Sequence, residues 1–379
     1  MPGPRLRGGD NTLIFTNATD TTKREGYHIL KIYLVGGAVR DAILGLPIEE
    51  KDWVVVGSRP EEMLAQGFLP VGKEFPVFLH PKTKDEYALA RTERKTAKGY
   101  KGFVFHADPS VTLEEDLARR DLTVNAIAQD DQGNLIDPFG GTQDLKNKIF
   151  RHVSAAFSED PVRILRLARF AARFNDFTVD PSTNKLMQDM VQNGEVDALV
   201  PERVWQEFEK ALGYADPSRF FAILNDCGAL EKLFPELMEI QSYELPAEKT
   251  VRFAILLNHL SLNQIEHLCN RYRVPNDYSD LAKLTVKLKE NYLALSDAKS
   301  ILNFILSADA LRRKARFDDL LTVYKIALKN TAEKNALLEK ALIAIKNIDI
   351  KTLQERGLKG QEFADALYEL RLEALGNLN

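Results

Sequence analysis

The sequence predicts an α+β N-terminal region built on one sheet, followed by an all-α region. Three observations carry this reading. From Lys31 to about Arg151, short β-rich runs (KIYLV, DWVVVG, FPVFLH, EYALAR, LTVNAIAQ) stand between Gly, Pro and Asp turn signals. From Ser158 onward helix follows helix, with few β-branched runs and loops marked by Pro or Gly. The 379 residues are 45% apolar and 28% charged, an ordinary globular composition and enough chain for two or three domains. A disordered chain and a disulfide scaffold are excluded.

Taken in order, residues 1–30, with MPGPRLRGG and NATDTTKREG, read as a flexible tail outside the fold. Arg5 and Arg7 are followed by too short and polar a stretch for a signal sequence, and no run approaches the roughly 18 apolar residues of a membrane span. The KIYLV strand ends at Gly36-Gly37, and short helices are expected over Ala38–Leu44 and Pro60–Gln66. Asp137-Pro138-Phe139-Gly140-Gly141 is expected to be a turn that closes this region. Ser158-Glu159-Asp160-Pro161 then has the signature of a helix start: a capping hydroxyl, first-turn acids and an early proline. Cys227 and Cys269 are the only cysteines, too few for a zinc cluster, and are expected to be reduced core thiols of a cytoplasmic protein.

Four segments carry candidate chemistry. In Leu34-Val35-Gly36-Gly37-Ala38-Val39-Arg40-Asp41 a strand runs through two glycines into a helix, so backbone N–H groups can approach a phosphate and Arg40 can add a fork to it. A tight turn with no ligand would show the same residues. Glu50 and Asp52 stand two apart where a strand begins, and alternate strand side chains share a face. Two such carboxylates are the minimum for holding a pair of divalent cations. In Arg119-Arg120-Asp121-Leu122-Thr123-Val124-Asn125 the arginines suit a triphosphate, while Asp121 and Asn125 suit a ribose hydroxyl. Finally, Asp160, Arg163, Arg166 and Arg169 recur every three residues and form a slowly drifting polar stripe on a helix.

Together with the Asp137–Gly141 turn, these segments resemble, in order and spacing, the motifs of bacterial class II tRNA nucleotidyltransferases, the CCA-adding enzymes. The similarity extends to VGKEFPVFLHPKTKDEYALARTERK (71–95), PERVWQEFEKAL (201–212) and DCGALEKLFPEL (226–237), and more loosely to LCNRYRVPNDYSDLA (268–282). The resemblance implies a polymerase-β-like nucleotidyltransferase head at 31–152, a helical neck that selects the base at 153–240, and a helical body and tail that hold the tRNA acceptor arm at 241–379. It implies that Gly37, Arg40 and Arg120 contact the triphosphate of ATP or CTP, and that Glu50 and Asp52 hold Mg²⁺. Asp121 matches a ribose contact, Asp160 and Arg163 the amino-acid template for the base, and Arg166 and Arg169 further nucleotide contacts. The segment Thr92–Thr112 fits a mobile loop used in switching from C to A addition.

The template has a chemical basis. Cytosine and adenine each present an amino donor beside a ring-nitrogen acceptor, and a carboxylate beside a guanidinium presents the complement. Guanine and uracil reverse that order and leave both protein groups unpaired, a mismatch that can cost about 10⁴-fold. The expected reaction is in-line attack of the tRNA 3′-hydroxyl on the α-phosphorus, with pyrophosphate leaving. Two departures from the family pattern stand out. Glu50 occupies a position that is usually Asp. No His-Asp dipeptide occurs, and VRFAILLNHLS stands where a C-terminal HD phosphohydrolase motif would, so no such domain is expected. Competing readings are a poly(A) polymerase, a partial A- or CC-adding enzyme, and a catalytically degenerate RNA-binding module.

The charge fits a tRNA partner once it is divided. The whole chain has 51 basic and 55 acidic residues, net −4. From Val251 onward there are 20 basic against 16 acidic residues (+4), leaving 31 against 39 (−8) ahead of it. A strongly basic, sequence-blind binder is excluded; local positive patches are not. Arg271 with Arg273, and the run Arg312-Arg313-Lys314-Ala315-Arg316, fit tRNA phosphates and solvated helix faces equally well.

Overall fold

The valine-rich run of DWVVV and the alternation in KIYLV make two strands that pair at the middle of one sheet. The computed structural model describes residues 30–71, 77–95, 103–106, 108–239, 246, 248–355 and 357–376. It divides into two units, Met1–Val200 with Ala222–Ala229, and Pro201–Phe221 with Leu230–Asn379.

The first unit opens with β1 (Lys31–Val35), α1 (Gly37–Ile43), β2 (Asp52–Val56), α2 (Pro60–Ala65), β3 (Leu69–Val71), β4 (Val77–Leu79) and β5 (Glu86–Leu89). A hairpin of β6 (Thr92–Lys95) and β7 (Phe103–His106) follows, then α3 (Leu113–Ala118), β8 (Ala128–Gln129), β9 (Leu135–Ile136) and α4 (Gly141–Asn147). The unit continues through β10 (Ile149–Phe150), α5 (Val162–Arg173), β11 (Thr178–Val179) and α6 (Pro181–Gln192). Seven strands form the main sheet in the order β3-β4-β5-β2-β1-β8-β9. β1 and β2 are antiparallel, with Val35 opposite Asp52, and β2 runs parallel to β5.

The two sheet faces are covered differently, as alternation in the central strands requires. Val35, Val54, Ala90, Leu117, Ala126 and Ala128 make one core cluster. Val55, Met63, Phe68, Phe78, Tyr87 and Leu89 make the other, with Trp53 half-buried and stacked on Tyr87 at 5.5 Å. The Asp137–Gly141 turn is built by its aspartate. Asp137 accepts from the Gly141 and Thr142 backbone N–H groups (2.7 and 2.8 Å) and so starts α4.

Three expectations shift here. LTVNAIAQ is not one strand: Leu122 makes a single bridge to His152, Thr123–Asn125 forms a 3-10 turn, and Ala128–Gln129 joins the main sheet. The reason is polar. Thr123 Oγ1 donates to Asp144 (2.7 Å) and Asn125 bridges two other side chains, geometry that an extended strand would break. At the next helix, Ser158 bonds back to Ala155 O, and it is Asp160 Oδ1 that accepts from Val162 N (3.1 Å), so the aspartate does the capping. The loop expected over Thr92–Thr112 is a hairpin at both ends; residues 96–102 and 107 lie outside the described residues, as do 1–29 of the expected tail.

The second unit is helical: α7 (Pro201–Leu212), α8 (Ser218–Asp226, which belongs to the first unit from Ala222 on), α9 (Ala229–Leu233, which enters the second unit at Leu230), α10 (Lys249–Leu257), α11 (Leu262–Tyr272) and α12 (Asn276–Leu293). Then come α13 (Ala298–Ser307), α14 (Lys314–Ala327), α15 (Ala332–Lys346), α16 (Lys351–Glu355) and α17 (Gly360–Gly376). Its core is aromatic. Trp205 meets Phe208, Phe253 and Tyr278 edge-on, at 4.9–5.8 Å between ring centres. His259 lies exposed in the turn after α10. No helix among the described residues is long and apolar enough to cross a membrane.

Candidate active site

The site is organised around the end of β1. Gly36 has φ +71° and ψ −130°, a conformation that L side chains rarely adopt, and its N–H donates to Ile127 O (3.1 Å). A Cβ added there would stand 2.9 Å from Arg120 Nη1, so the arginine lies directly over the glycine turn. Arg120 Nη2 reaches Asp116 (3.3 Å), whereas its buried Nε has no hydrogen-bond partner. An orphaned guanidinium donor beside a glycine turn at a helix start suits an anion. Asp116, fully buried on α3, also takes Arg119 (2.8 Å) and the Arg91 N–H (3.3 Å). Burial pushes its carboxyl pKa up, but the two guanidinium groups prevail and hold it below the usual range.

Asp52 is brought beside that turn by its register opposite Val35. Glu50 is not in the strand, which begins at Asp52, so the alternation argument does not apply to it. The two are linked electrostatically instead. Desolvation raises the Asp52 pKa and the Glu50 charge adds to this, while Arg120 and Arg166 act the other way. Both carboxylates are exposed, and neither forms an ion pair among the described residues. Hard, exposed oxygen donors suit Mg²⁺, which binds through one or two carboxylates plus substrate phosphates and water. Among the described residues no group of three or more His, Cys, Asp or Glu could hold a metal.

Arg40 departs from the phosphate fork expected of it. It is only 4% exposed, its Nε and Nη2 pair with Asp41 (2.9 and 2.8 Å), and its Nη1 donates to Asn125 Oδ1 (2.5 Å). Its Cζ packs 5.1 and 5.2 Å from the ring centres of Phe170 and Phe174. Burial lowers its pKa and Asp41 works against that fall. Gly37, by contrast, stands at the start of α1 as expected.

Asp121 is equally enclosed, at 6% exposed. Its Oδ1 accepts from Leu122 N (2.8 Å) and Asn125 Nδ2 (2.9 Å), and its Oδ2 from Arg166 Nε (2.8 Å). Burial pushes its pKa up, yet Arg166, Asn125 and Arg163 together hold it far below the carboxylate range. The group expected at a ribose is also the anchor of Arg166. Arg163 is buried, its Nη1 and Nη2 donating to Ala156 O (2.9 Å) and Arg119 O (2.6 Å). Asp160 stands at the start of the same helix, and Arg169 packs its guanidinium on Phe170, 4.4 Å from the ring centre. Sequence reasoning missed Asp116, Asp41 and Arg173. The last was legible in principle, since Arg166 and Arg173 are seven apart and share one face of α5.

Residues 32–151 match the family model of the poly A polymerase head domain, and residues 176–241 match one described as the probable RNA and SrmB-binding site of polymerase A. The first unit thus contains a nucleotidyltransferase head of that class. Over 359 residues the chain is 57% identical to the CCA-adding enzyme of Coxiella burnetii, covering 92% of this chain and 96% of that one. It is 46% identical to the multifunctional CCA protein of a Janthinobacterium species (strain Marseille), over 91% of this chain and 97% of the relative. Among solved structures, a tRNA-processing enzyme with CTP superposes with a TM-score of 0.63 at 25% identity, covering 92% of this chain and 97% of that one. The chain belongs to the CCA-adding enzyme family.

Proposed function

We propose that this protein adds the 3′-terminal CCA sequence to tRNA from CTP and ATP, releasing pyrophosphate. The observation that carries the reading is the meeting of three groups at one strand end: the Gly36-Gly37 turn, Arg120 with its spare donor, and Asp52 opposite Val35. The backbone of the turn and Arg120 bind and orient the triphosphate. Glu50 and Asp52 would hold Mg²⁺; when bound there, the metal lowers the pKa of the attacking 3′-hydroxyl and offsets charge on the α-phosphate and leaving pyrophosphate.

Asp160 and Arg163 read the base by the donor–acceptor complement that cytosine and adenine satisfy. The carbonyls of Ala156 and Arg119 hold the Arg163 plane in place, the preorganisation that a base-reading guanidinium needs. Arg166 and Arg169 contact the nucleotide from the same helix, with Arg166 oriented by Asp121. Asp121 orients Arg166 and, with three internal donors on a carboxylate that can accept about four, keeps an acceptor site for a ribose hydroxyl. Arg40 supports the turn from within. In this reading the head spans 31–152, the neck 153–240, and 241–379 holds the tRNA acceptor arm, in the cytoplasm where tRNA is used.

The test supplies purified protein with labelled CTP and ATP, Mg²⁺, and tRNA ending before CC, at C or at CC. Stepwise addition that stops at CCA supports the proposal. Long A tails would indicate a poly(A) polymerase, arrest at CC or addition of A alone a partial enzyme, and binding without incorporation a degenerate module.

A further inference from the structure

Helix α5, which the proposed function makes the base-selecting helix, is tied to the head through Arg163, which donates to Arg119 O (2.6 Å), and by two ion pairs. In one, Arg166 Nε donates to Asp121 Oδ2 (2.8 Å). In the other, Arg173 Nη2 donates to Asp41 Oδ2 (3.0 Å) on α1, directly after the glycine turn. The two ion pairs are joined inside the protein. Asp41 Oδ1 takes Arg40 Nε, Arg40 Nη1 donates to Asn125, and Asn125 Nδ2 donates to Asp121 Oδ1. Arg40 and Arg173 both pack on Phe174, at 5.2 and 5.0 Å from its centre.

Arg166 and Arg173 are seven residues apart, about 10.5 Å along the helix axis. Arg163 and Arg166 lie within one turn of each other and hold only the near end of α5; Arg173, two turns further on, fixes its direction. Asp160 and Arg163 lie on the opposite side of Arg166 from Arg173, so a displacement at the Arg173 end returns at the base-reading end with opposite sign. Hydrogen-bond discrimination between bases is lost over fractions of an ångström.

We infer that Asp41 and Arg173 are positioning residues for nucleotide selection: their ion pair sets the angle at which α5 presents Asp160 and Arg163 to the incoming base. The inference rests on the functional reading above. It assigns neither residue a contact with substrate.

The test measures kcat/KM for CTP and for UTP on tRNA lacking CCA, together with inhibition by pyrophosphate, in the wild type, Arg173→Gln, Asp41→Asn and Arg173→Lys. Breaking the pair should lower the CTP-over-UTP preference by about tenfold or more, a fraction of the discrimination that unpaired polar groups supply. In Arg173→Gln, pyrophosphate inhibition should stay within about twofold, because Arg40 keeps its Asp41 partner and the triphosphate site is left in place. Arg173→Lys, which keeps a cation within reach of Asp41, should recover most of the preference. Unchanged selectivity in folded Arg173→Gln overturns the inference, and so does a matching loss of pyrophosphate binding, which would make the pair part of the phosphate site. Asp41 is buried and its variant can fail to fold. Arg173 is 23% exposed in its side chain, so Arg173→Gln decides, and loss of its far-UV circular dichroism would also count against a purely positioning role. Failure of the wild type to add CCA would instead refute the functional reading.

Discussion

Replacing Gly36 by alanine should damage the site in two separable ways. The backbone at φ +71°, ψ −130° is sparsely populated for a residue with a side chain, and holding one there costs on the order of 1–3 kcal/mol. The new Cβ would also stand 2.9 Å from Arg120 Nη1. Because that atom is the far end of a flexible side chain, the guanidinium yields rather than the backbone, and Arg120 moves off the turn. A charge-assisted hydrogen bond contributes about 1.5–3 kcal/mol, so its loss at the triphosphate should raise the KM for CTP by roughly 10- to 150-fold. Steady-state incorporation of labelled CTP into tRNA lacking CCA measures this, and thermal unfolding reports the backbone cost. The two effects come apart in an Arg120→Ala background, where Gly36→Ala should still destabilise but raise KM by less than about threefold. If the full KM penalty persists without Arg120, the steric argument is refuted.

Three further outcomes are expected. Asp52→Asn and Glu50→Gln should each reduce nucleotide incorporation by about 10³-fold or more, the scale of several kcal/mol of charge stabilisation, with circular dichroism unchanged; full activity in either removes that residue from the metal site. The Asp121 carboxyl is held far below its unfolded value of about 3.9, so its contribution to stability is complete above that pH and is lost as pH falls through the acid range. Asp121→Asn should therefore lose less stability than the wild type between about pH 4 and pH 2, and parallel acid curves would contradict the assignment. Burial pushes both cysteine thiols up to about 11, leaving about one thiolate in a thousand at pH 8. Iodoacetamide should leave both unlabelled in the native protein and label both after denaturation, as intact mass would record.

What the sequence could disclose was set by range. The strands of KIYLV, DWVVVG, FPVFLH and EYALAR were legible because β-branched and aromatic residues repeat within each run. The two-residue strands β8 to β11 exist only through their partners and carry no such signal. The glycine turn and the Glu50–Asp52 pair were legible only as separate local patterns; Asp52 comes beside the turn through its pairing opposite Val35, which neither segment discloses alone. Arg40 was harder. An arginine at a helix start reads as a phosphate ligand until the partners that enclose it are known, and two of these, Phe170 and Phe174, lie more than a hundred residues away. The same holds for Arg173, 132 positions from Asp41. Asp116 looked like one acid among three in LEEDLARR; only its burial beneath Arg119 and Arg120 distinguishes it from Glu114 and Glu115.

The chain contains two tryptophans, Trp53 in the sheet of the first unit and Trp205 in the aromatic core of the second. Each unit thus carries its own intrinsic fluorophore. Trp53 is the neighbour of Asp52, where nucleotide and metal are proposed to arrive, while Trp205 sits in a ring of edge-on aromatics. Trp205→Phe would leave an emission that reports on the catalytic sheet, and Trp53→Phe one that reports on the helical unit. With a fluorimeter and no attached dye, the melting of one unit and of the other could be timed as separate events in the same enzyme.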